Sequence, residues 1–283
     1  MTQLYKTKQF PFWLLAITVI VALVLPVSLQ DGMFMDGVLY ACVSNNLAQG
    51  IGSLWFLKFS ELGFAGFPTF HEHPPLIFWI QGLFFKVFGS SFYVERLYSF
   101  GTAIIAAWLM HKNWKLINYK NPALANNAWL AVIFWMLIPI VFWSFQNNMQ
   151  ENTMSLFSLA AVYFALKAML LEQKIFLNLF LTGLLIFAAS FAKGVPGFFP
   201  LVVVFAFWLF FRSISFAKMV GYSLFVLASC AAIYGLILLI PEARESLSIY
   251  VFERLLGRVE AQPTQDSHFY IMIRLFMEIL PLL

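Results

Sequence analysis

The residues best able to do chemistry in this 283-residue chain lie in three short clusters. Asp36 heads the run Asp36-Gly-Val-Leu-Tyr-Ala; His71, Glu72 and His73 sit directly before Pro74-Pro75; Glu151 and Lys193 each stand alone beside long apolar stretches. A carboxylate in such a set can take a proton from a hydroxyl as a general base, and a lysine can neutralise a developing anion. The His71-Glu72-His73 patch has the groups to hold an anionic lipid head, or a divalent cation together with Asp36, although two histidines one residue apart are a weak metal pattern. Each residue also has a plain structural reading. Asp36 alone is an ordinary helix-starting acid, Glu151 is an acid at a helix N-terminus where the dipole favours it, and Lys193, before Gly-Val-Pro-Gly, is a cation placed to snorkel to headgroups.

The elements that position these residues follow from composition. Hydrophobic residues make up 62% of the chain and charged residues only 11%, far outside the range of a soluble domain. A helix that crosses a bilayer needs roughly 20 mostly apolar residues. Uncharged runs occur at Phe12 to Leu29, Pro122 to Phe145, Ile175 to Ala192, Val195 to Phe211 and Met219 to Ile240. Leu97 to Met110 and Thr153 to Leu166 are shorter and continue apolar past their ends, and another apolar stretch starts at Phe269. The expectation is an all-α integral membrane protein, a single membrane domain over 1–283, with about seven to eight transmembrane helices. Its long first outer loop, 31–95, is rich in Trp, Phe and Pro and carries surface helices. The end at Glu278-Ile-Leu-Pro-Leu-Leu283 lacks a polar flank and reads as a truncated chain. The first apolar run is long for a signal peptide and reads as a retained helix.

Short basic loops mark the cytoplasmic side. With the N-terminus inside, the inner loops hold Lys112, Lys115, Lys120, Lys167, Lys174, Arg212 and Lys218, whereas the short outer turns hold Lys193 alone. Were Pro74 to Phe92 to cross the membrane this bias would reverse, so that segment is laid along the surface, with Lys86 in its middle and two prolines at its start. On this map twelve of the thirteen carboxylates fall in or beside outer segments, Glu172 being the exception. Glu151 and Lys193 then sit at the outer edges of spans, where ionisable groups are costly and tend to be functional. There is no P-loop, dinucleotide fingerprint or Cys-x-x-Cys, and Cys42 and Cys230 read as small apolar residues. The net charge of +4 comes from residues flanking the spans and does not argue for nucleic acid.

Taken in order, Asp36-Gly-x-x-Tyr40-Ala41, Glu72-His73-Pro74-Pro75 with Trp79, Phe88-Gly89, Arg96-Leu97, Glu151 before a span, and Ala192-Lys193-Gly194 resemble the multi-spanning lipid-phosphosugar-dependent transferases. That superfamily includes the dolichyl-phosphate-mannose protein mannosyltransferases and the aminoarabinose transferases of lipid A. The chain departs from the usual pattern at Gly37, where an acid is typical, and at His73, where a lysine is.

The resemblance implies an inverting glycosyltransferase. It would move a hexosyl or pentosyl group from a polyprenyl-phosphate-linked donor to a hydroxyl or phosphate of a lipid or protein acceptor, at the outer face of the membrane. Asp36 would be the catalytic base. Lys193, His73, Arg96 and Arg258 would contact the donor phosphate, His73 only if it carries a charge. Glu72, Glu151 and His71 would position the acceptor or a metal, a divalent cation being the candidate cofactor. The expected partners are the lipid-linked sugar, its acceptor and membrane lipids, without nucleic acid, and the expected location is a bacterial inner membrane with the site facing the periplasm or exterior. The competing readings are a non-catalytic scaffold or inactive fragment and, with less support, a secondary transporter, whose polar residues would gather near mid-membrane.

Overall fold

The computed structural model describes residues 2–30, 32–257 and 269–280; Arg258 lies outside the described residues. The chain begins with α1 (Thr2–Ser28), followed by two surface helices, α2 (Met35–Ala48) and α3 (Leu76–Phe88). Next come α4 (Tyr93–Ile117), α5 (Pro122–Ala125), α6 (Ala128–Met136), α7 (Pro139–Gln146), α8 (Gln150–Leu171) and α9 (Ile175–Lys193). A 3₁₀ segment (Val195–Val202) leads into α10 (Val203–Phe211), then α11 (Phe216–Ile237), α12 (Pro241–Ser248), a π-helical stretch (Ile249–Leu256) and α13 (Tyr270–Ile279). Among the described residues there is no strand, and three isolated bridges tie the 49–75 loop to itself.

Among the described residues four helices are long and apolar enough to cross a membrane: Lys8–Ser28 of α1, α8, α9 and α11. A fifth crossing requires α6 and α7 to act together, and they are bent by 75°. The helical character agrees with the expected all-α membrane fold, whereas several of the apolar runs are broken rather than continuous helices. The Pro122 to Phe145 run divides because Pro139 starts a new helix and cannot continue the preceding hydrogen-bond ladder. Val195 to Phe211 divides because it opens in 3₁₀ geometry with Pro196 and Pro200 inside. The 25-residue α4 has the length to cross, but Glu95, Arg96, Lys112 and Lys115 lie towards its ends. Large apolar side chains stay exposed along the helices, Phe210 at 79% and Leu236 at 66% among them, the surface a bilayer would cover.

Inside a bilayer, helix association depends on close packing of small residues. The α8–α9 hairpin, turned by only Glu172 to Lys174, follows this rule: Ala161, Ala165 and Ala168 of α8 are fully buried against Leu179, Ile186 and Phe187 of α9. Gly183 then lets α11 approach the other side of α9. A Cβ there would lie 2.6 Å from Ser229 Cβ and 2.8 Å from the Val226 carbonyl. A second core joins α1, α4, α6 and α7 through Ile20, Val24, Ala103, Val132 and Met136. A third lies beneath the surface helices, where Tyr40, Val43, Leu57, Phe70 and Phe78 pack together.

The first outer loop is ordered by backbone demand, since every buried peptide group needs a partner. Asn46 Nδ2 donates to the Lys58 and Phe59 carbonyls at 3.1 and 2.9 Å, and Trp79 Nε1 donates to the Leu54 carbonyl at 2.7 Å. The surface helices stand where the sequence put them: α2 runs from Met35 to Ala48 with Gly50 at φ +79° just beyond, and α3 starts directly after Pro75.

Replacing Gly183 by Val should destabilise the protein by about 1–3 kcal/mol through overpacking of α9 against α11. Gly221→Val on α11, where a Cβ meets nothing within 4 Å, should leave the thermal unfolding midpoint in detergent nearly unchanged.

Candidate active site

The α8–α9 hairpin brings the first residue pair together. Glu151 lies in the first turn of α8 and Lys193 in the last turn of α9, and Lys193 Nζ is 3.2 Å from Glu151 Oε1. Each charge sits at the helix end whose dipole favours it. The lysine side chain is 11% exposed and the glutamate side chain 46%, so the cation is recessed, and Glu151 Oε2 is buried without a partner among the described residues.

The surface helices close on the same cation. Lys193 Nζ lies over the Tyr40 ring, 5.4 Å from its centroid, and the Tyr40 hydroxyl is 3.1 Å from His73 Nε2. Asp36 stands one helical turn before Tyr40, hence on the same face of α2. Three remote segments thus converge: α2 with Asp36 and Tyr40, the His73-Pro74-Pro75 turn, and the adjoining ends of α8 and α9.

A polar network holds α2 in this place. The Phe34 amide donates to Asn147 Oδ1 at 2.8 Å, and Asn148 Nδ2 reaches the Gly37 carbonyl at 3.4 Å. Gln81 Nε2 of α3 donates to Asn148 Oδ1 at 2.7 Å while Gln81 Oε1 accepts from Ser44 Oγ at 3.0 Å. Gly37 explains the departure from the family pattern, because any Cβ there would collide with the Asn147 carbonyl and Met33 Sδ. Sequence reasoning missed Gln81, Asn147 and Asn148; the signal was a glutamine inside an apolar helix and an amide run at a span boundary. Gly194 has φ +82° and faces the Tyr250 hydroxyl, which occupies the space a side chain would need. Burial raises the Tyr250 phenol above its usual range.

His73 carries no charge in the absence of a bound anion. Burial, and then the charge of Lys193, push it down to about 3, so its ring is neutral at physiological pH. His71 is 4% exposed, 2.7 Å from Thr69 Oγ1 and 3.4 Å from Ser246 Oγ, and burial followed by Arg254 lowers it to about 4. Glu72, also buried, forms an ion pair with Arg254, a residue the sequence reading passed over. The residues named for a divalent cation are therefore not gathered: among the described residues no group of three His, Cys, Asp or Glu could hold one. Arg96 is likewise engaged elsewhere. Its Nη atoms donate to the carbonyls of Ser28 at 2.9 Å and Gly32 at 2.8 Å, closing the end of α1 rather than joining the Lys193 cluster.

The family model described as dolichyl-phosphate-mannose-protein mannosyltransferase matches residues 72–239, more than half of the chain. The chain belongs to this family. The matched region holds Glu72, His73, Glu151 and Lys193, with Asp36 upstream of it. Two solved structures share the fold, both of ArnT from Cupriavidus metallidurans. The one bound to undecaprenyl phosphate is 13% identical with a TM-score of 0.67 over 99% of this chain, and the apo form is 15% identical with a TM-score of 0.68 over 96%. The chain spans about half the length of those structures, 48% in each case. No curated protein matches it. As a mannosyltransferase-family chain, it keeps its glutamate before the Pro-Pro pair but satisfies that glutamate with an arginine from its own C-terminal part.

Arg254→Met should destabilise the protein by about 3 kcal/mol by leaving the Glu72 carboxylate buried without this cation. The double variant Arg254→Met/Glu72→Gln should recover at least half of that loss in denaturant unfolding.

Proposed function

We propose that this chain carries the donor site of an inverting glycosyltransferase that moves a sugar from a polyprenyl-phosphate carrier to an acceptor hydroxyl or phosphate. The observation that carries the reading is the convergence on one recessed cation: Lys193 is held by Glu151 and Tyr40, with Asp36 one turn from Tyr40 on the same helix face. Family membership and the fold shared with an undecaprenyl-phosphate-bound structure support it.

Transfer needs two charges of opposite sign. As the acceptor oxygen approaches the anomeric carbon, Asp36 takes its proton. The bond between that carbon and the phosphate oxygen breaks through a transition state with oxocarbenium character, as in glycoside hydrolysis. The electron pair leaves with the polyprenyl phosphate, whose growing negative charge Lys193 stabilises. Tyr40 positions the lysine through its ring face. His73 contributes a hydrogen bond to Tyr40. Glu151 orients the lysine.

The same reading sets the topology. Taking α4, the bent α6–α7 pair and the Val195–Phe211 segment as crossings alongside the four long apolar helices gives seven spans. The basic loops then lie inside and the Lys193 cluster outside, as in a multi-pass protein of a bacterial inner membrane whose site faces the periplasm. The hexosyl or pentosyl nature of the donor and the protein or lipid nature of the acceptor are to be read from the products.

The test is transfer of radiolabelled sugar from the polyprenyl-phosphate pool to cell-envelope acceptors. At equal expression and intact insertion, Asp36→Asn should lower transfer by about 10²–10⁴-fold. Equal transfer by the variant and the unaltered protein would remove Asp36 as the base.

A further inference from the structure

The helices α1 and α4 run antiparallel and leave a crevice between them. Arg96 of α4 donates to the Ser28 carbonyl of α1 at one level, and at the other the Trp13 and His111 rings meet edge to face, 5.0 Å apart. Between the two lies a cavity of about 710 Å³, floored by the buried Ala16 and Ala107 and walled by Ile17, Ile104 and Trp108. Those three wall residues are 54%, 52% and 55% exposed, so the crevice opens towards the bilayer. Apart from His111 its lining is aliphatic or aromatic, and none of it belongs to the Lys193 cluster.

One end of the crevice is cationic. Lys112 Nζ stands over the Trp108 ring, 5.4 Å from its centroid, and Lys115 lies one turn beyond His111 on the same face of α4. On α1 the exposed Lys8 precedes Trp13 by just over one turn, and because the helices are antiparallel it reaches the same end. The surrounding helices offer these cations no counterion. Residues 1–30 and 96–150, which include all of α1, α5, α6 and α7 and α4 beyond Glu95, contain no Asp or Glu. Among the described residues none of the three lysines has an ion-pair partner.

An apolar slot that ends in unmatched cations selects an amphiphile with an anionic head. The lining runs from Trp13 to Val21 on α1 and from Phe100 to His111 on α4, about 12 and 16 Å at the helical rise. That is the depth of one leaflet, half of a hydrocarbon core of roughly 30 Å. Basic pockets between spanning helices favour anionic lipid heads, whereas a zwitterionic head would carry its own ammonium group towards the same lysines. A second copy of this chain docked by the same face would bring further lysines and no carboxylate to meet them. We infer that the α1–α4 crevice is a binding site for an anionic phospholipid, with an acyl chain between Ile17 and Ile104 and the phosphate against Lys8, Lys112 and Lys115. The site is independent of the transferase reading, and the topology proposed above makes its leaflet the cytoplasmic one.

Native mass spectrometry of the chain released from detergent tests this, with dioleoyl phosphatidylglycerol and dioleoyl phosphatidylcholine as probes of equal chain length. The anionic lipid should bind at least about tenfold more tightly, and an excess of inorganic phosphate should not displace it, because phosphate leaves the apolar slot unfilled. Lys8→Gln/Lys112→Gln/Lys115→Gln should weaken its binding at least about tenfold, the scale of removing several cations from beside an anionic head. Arg212→Gln/Lys218→Gln, which removes the cations between α10 and α11, should not. Ile104→Trp, which fills the crevice from its exposed side, should weaken binding as much as the triple variant, while Leu224→Trp, at a 58% exposed position of α11, should bind as the unaltered protein does. Thermal unfolding in detergent checks that the variants are folded. Equal affinity for the two lipids, displacement by inorganic phosphate, undiminished binding by either crevice variant, or equal losses in the α11-side variants would overturn the proposal.

Discussion

The ion pair between Lys193 and Glu151 depends on two helices turning back on each other with almost no loop, and most of the fold arranges that condition. Fully buried alanines on α8 let α9 lie close along its length, and Gly183 lets α11 brace the far side of α9. Only then do the first turn of one helix and the last turn of the other meet at the same level. With Glu151 half-exposed, such a pair contributes little to stability, on the order of 0–1 kcal/mol. Its consequence is positional: a lysine on a flexible stem is fixed in place at a membrane edge, where an unpaired cation would move with the headgroups.

What the surface helices add is a lid of fixed chemistry over that cation. Three amide side chains, Gln81, Asn147 and Asn148, fasten α2 and α3 to the corner before α8, and Arg96 ties off α1 just ahead of α2. The Glu72–Arg254 pair fastens the C-terminal π-helical stretch to the same loop, and Tyr250 closes against Gly194. Buried polar groups of this kind specify one arrangement when all are satisfied. The carboxylate Asp36 and the cation Lys193 are thus placed by different parts of the chain.

Much of the site was legible in the amino-acid sequence because charge is so scarce in it. Glu151 and Lys193 stood out as ionisable residues beside apolar runs, and the structure pairs them directly. Pro74 to Phe92, laid along the surface from the balance of basic loops, holds the 13-residue α3. Other features were not legible because composition carries no geometry. Hydropathy counts Pro122 to Phe145 as one run, although the backbone turns by 75° at Pro139. His73 read as a candidate cation because pattern alone does not reveal that Lys193 lies nearby and opposes its protonation. Arg96 and Glu72 read as ligand contacts because their partners, the last carbonyls of α1 and a guanidinium almost two hundred residues away, are products of folding.

The account stands on Lys193 as the fixed cation for the donor phosphate, separable from the base that deprotonates the acceptor. Binding of a short-chain polyprenyl phosphate to the purified chain in nanodiscs, measured for the unaltered protein, Lys193→Gln and Asp36→Asn, probes that division directly. Removing the lysine should weaken binding at least about tenfold, the scale of one charge-assisted hydrogen bond, while Asp36→Asn should bind as tightly as the unaltered protein. Undiminished binding by Lys193→Gln would contradict the account.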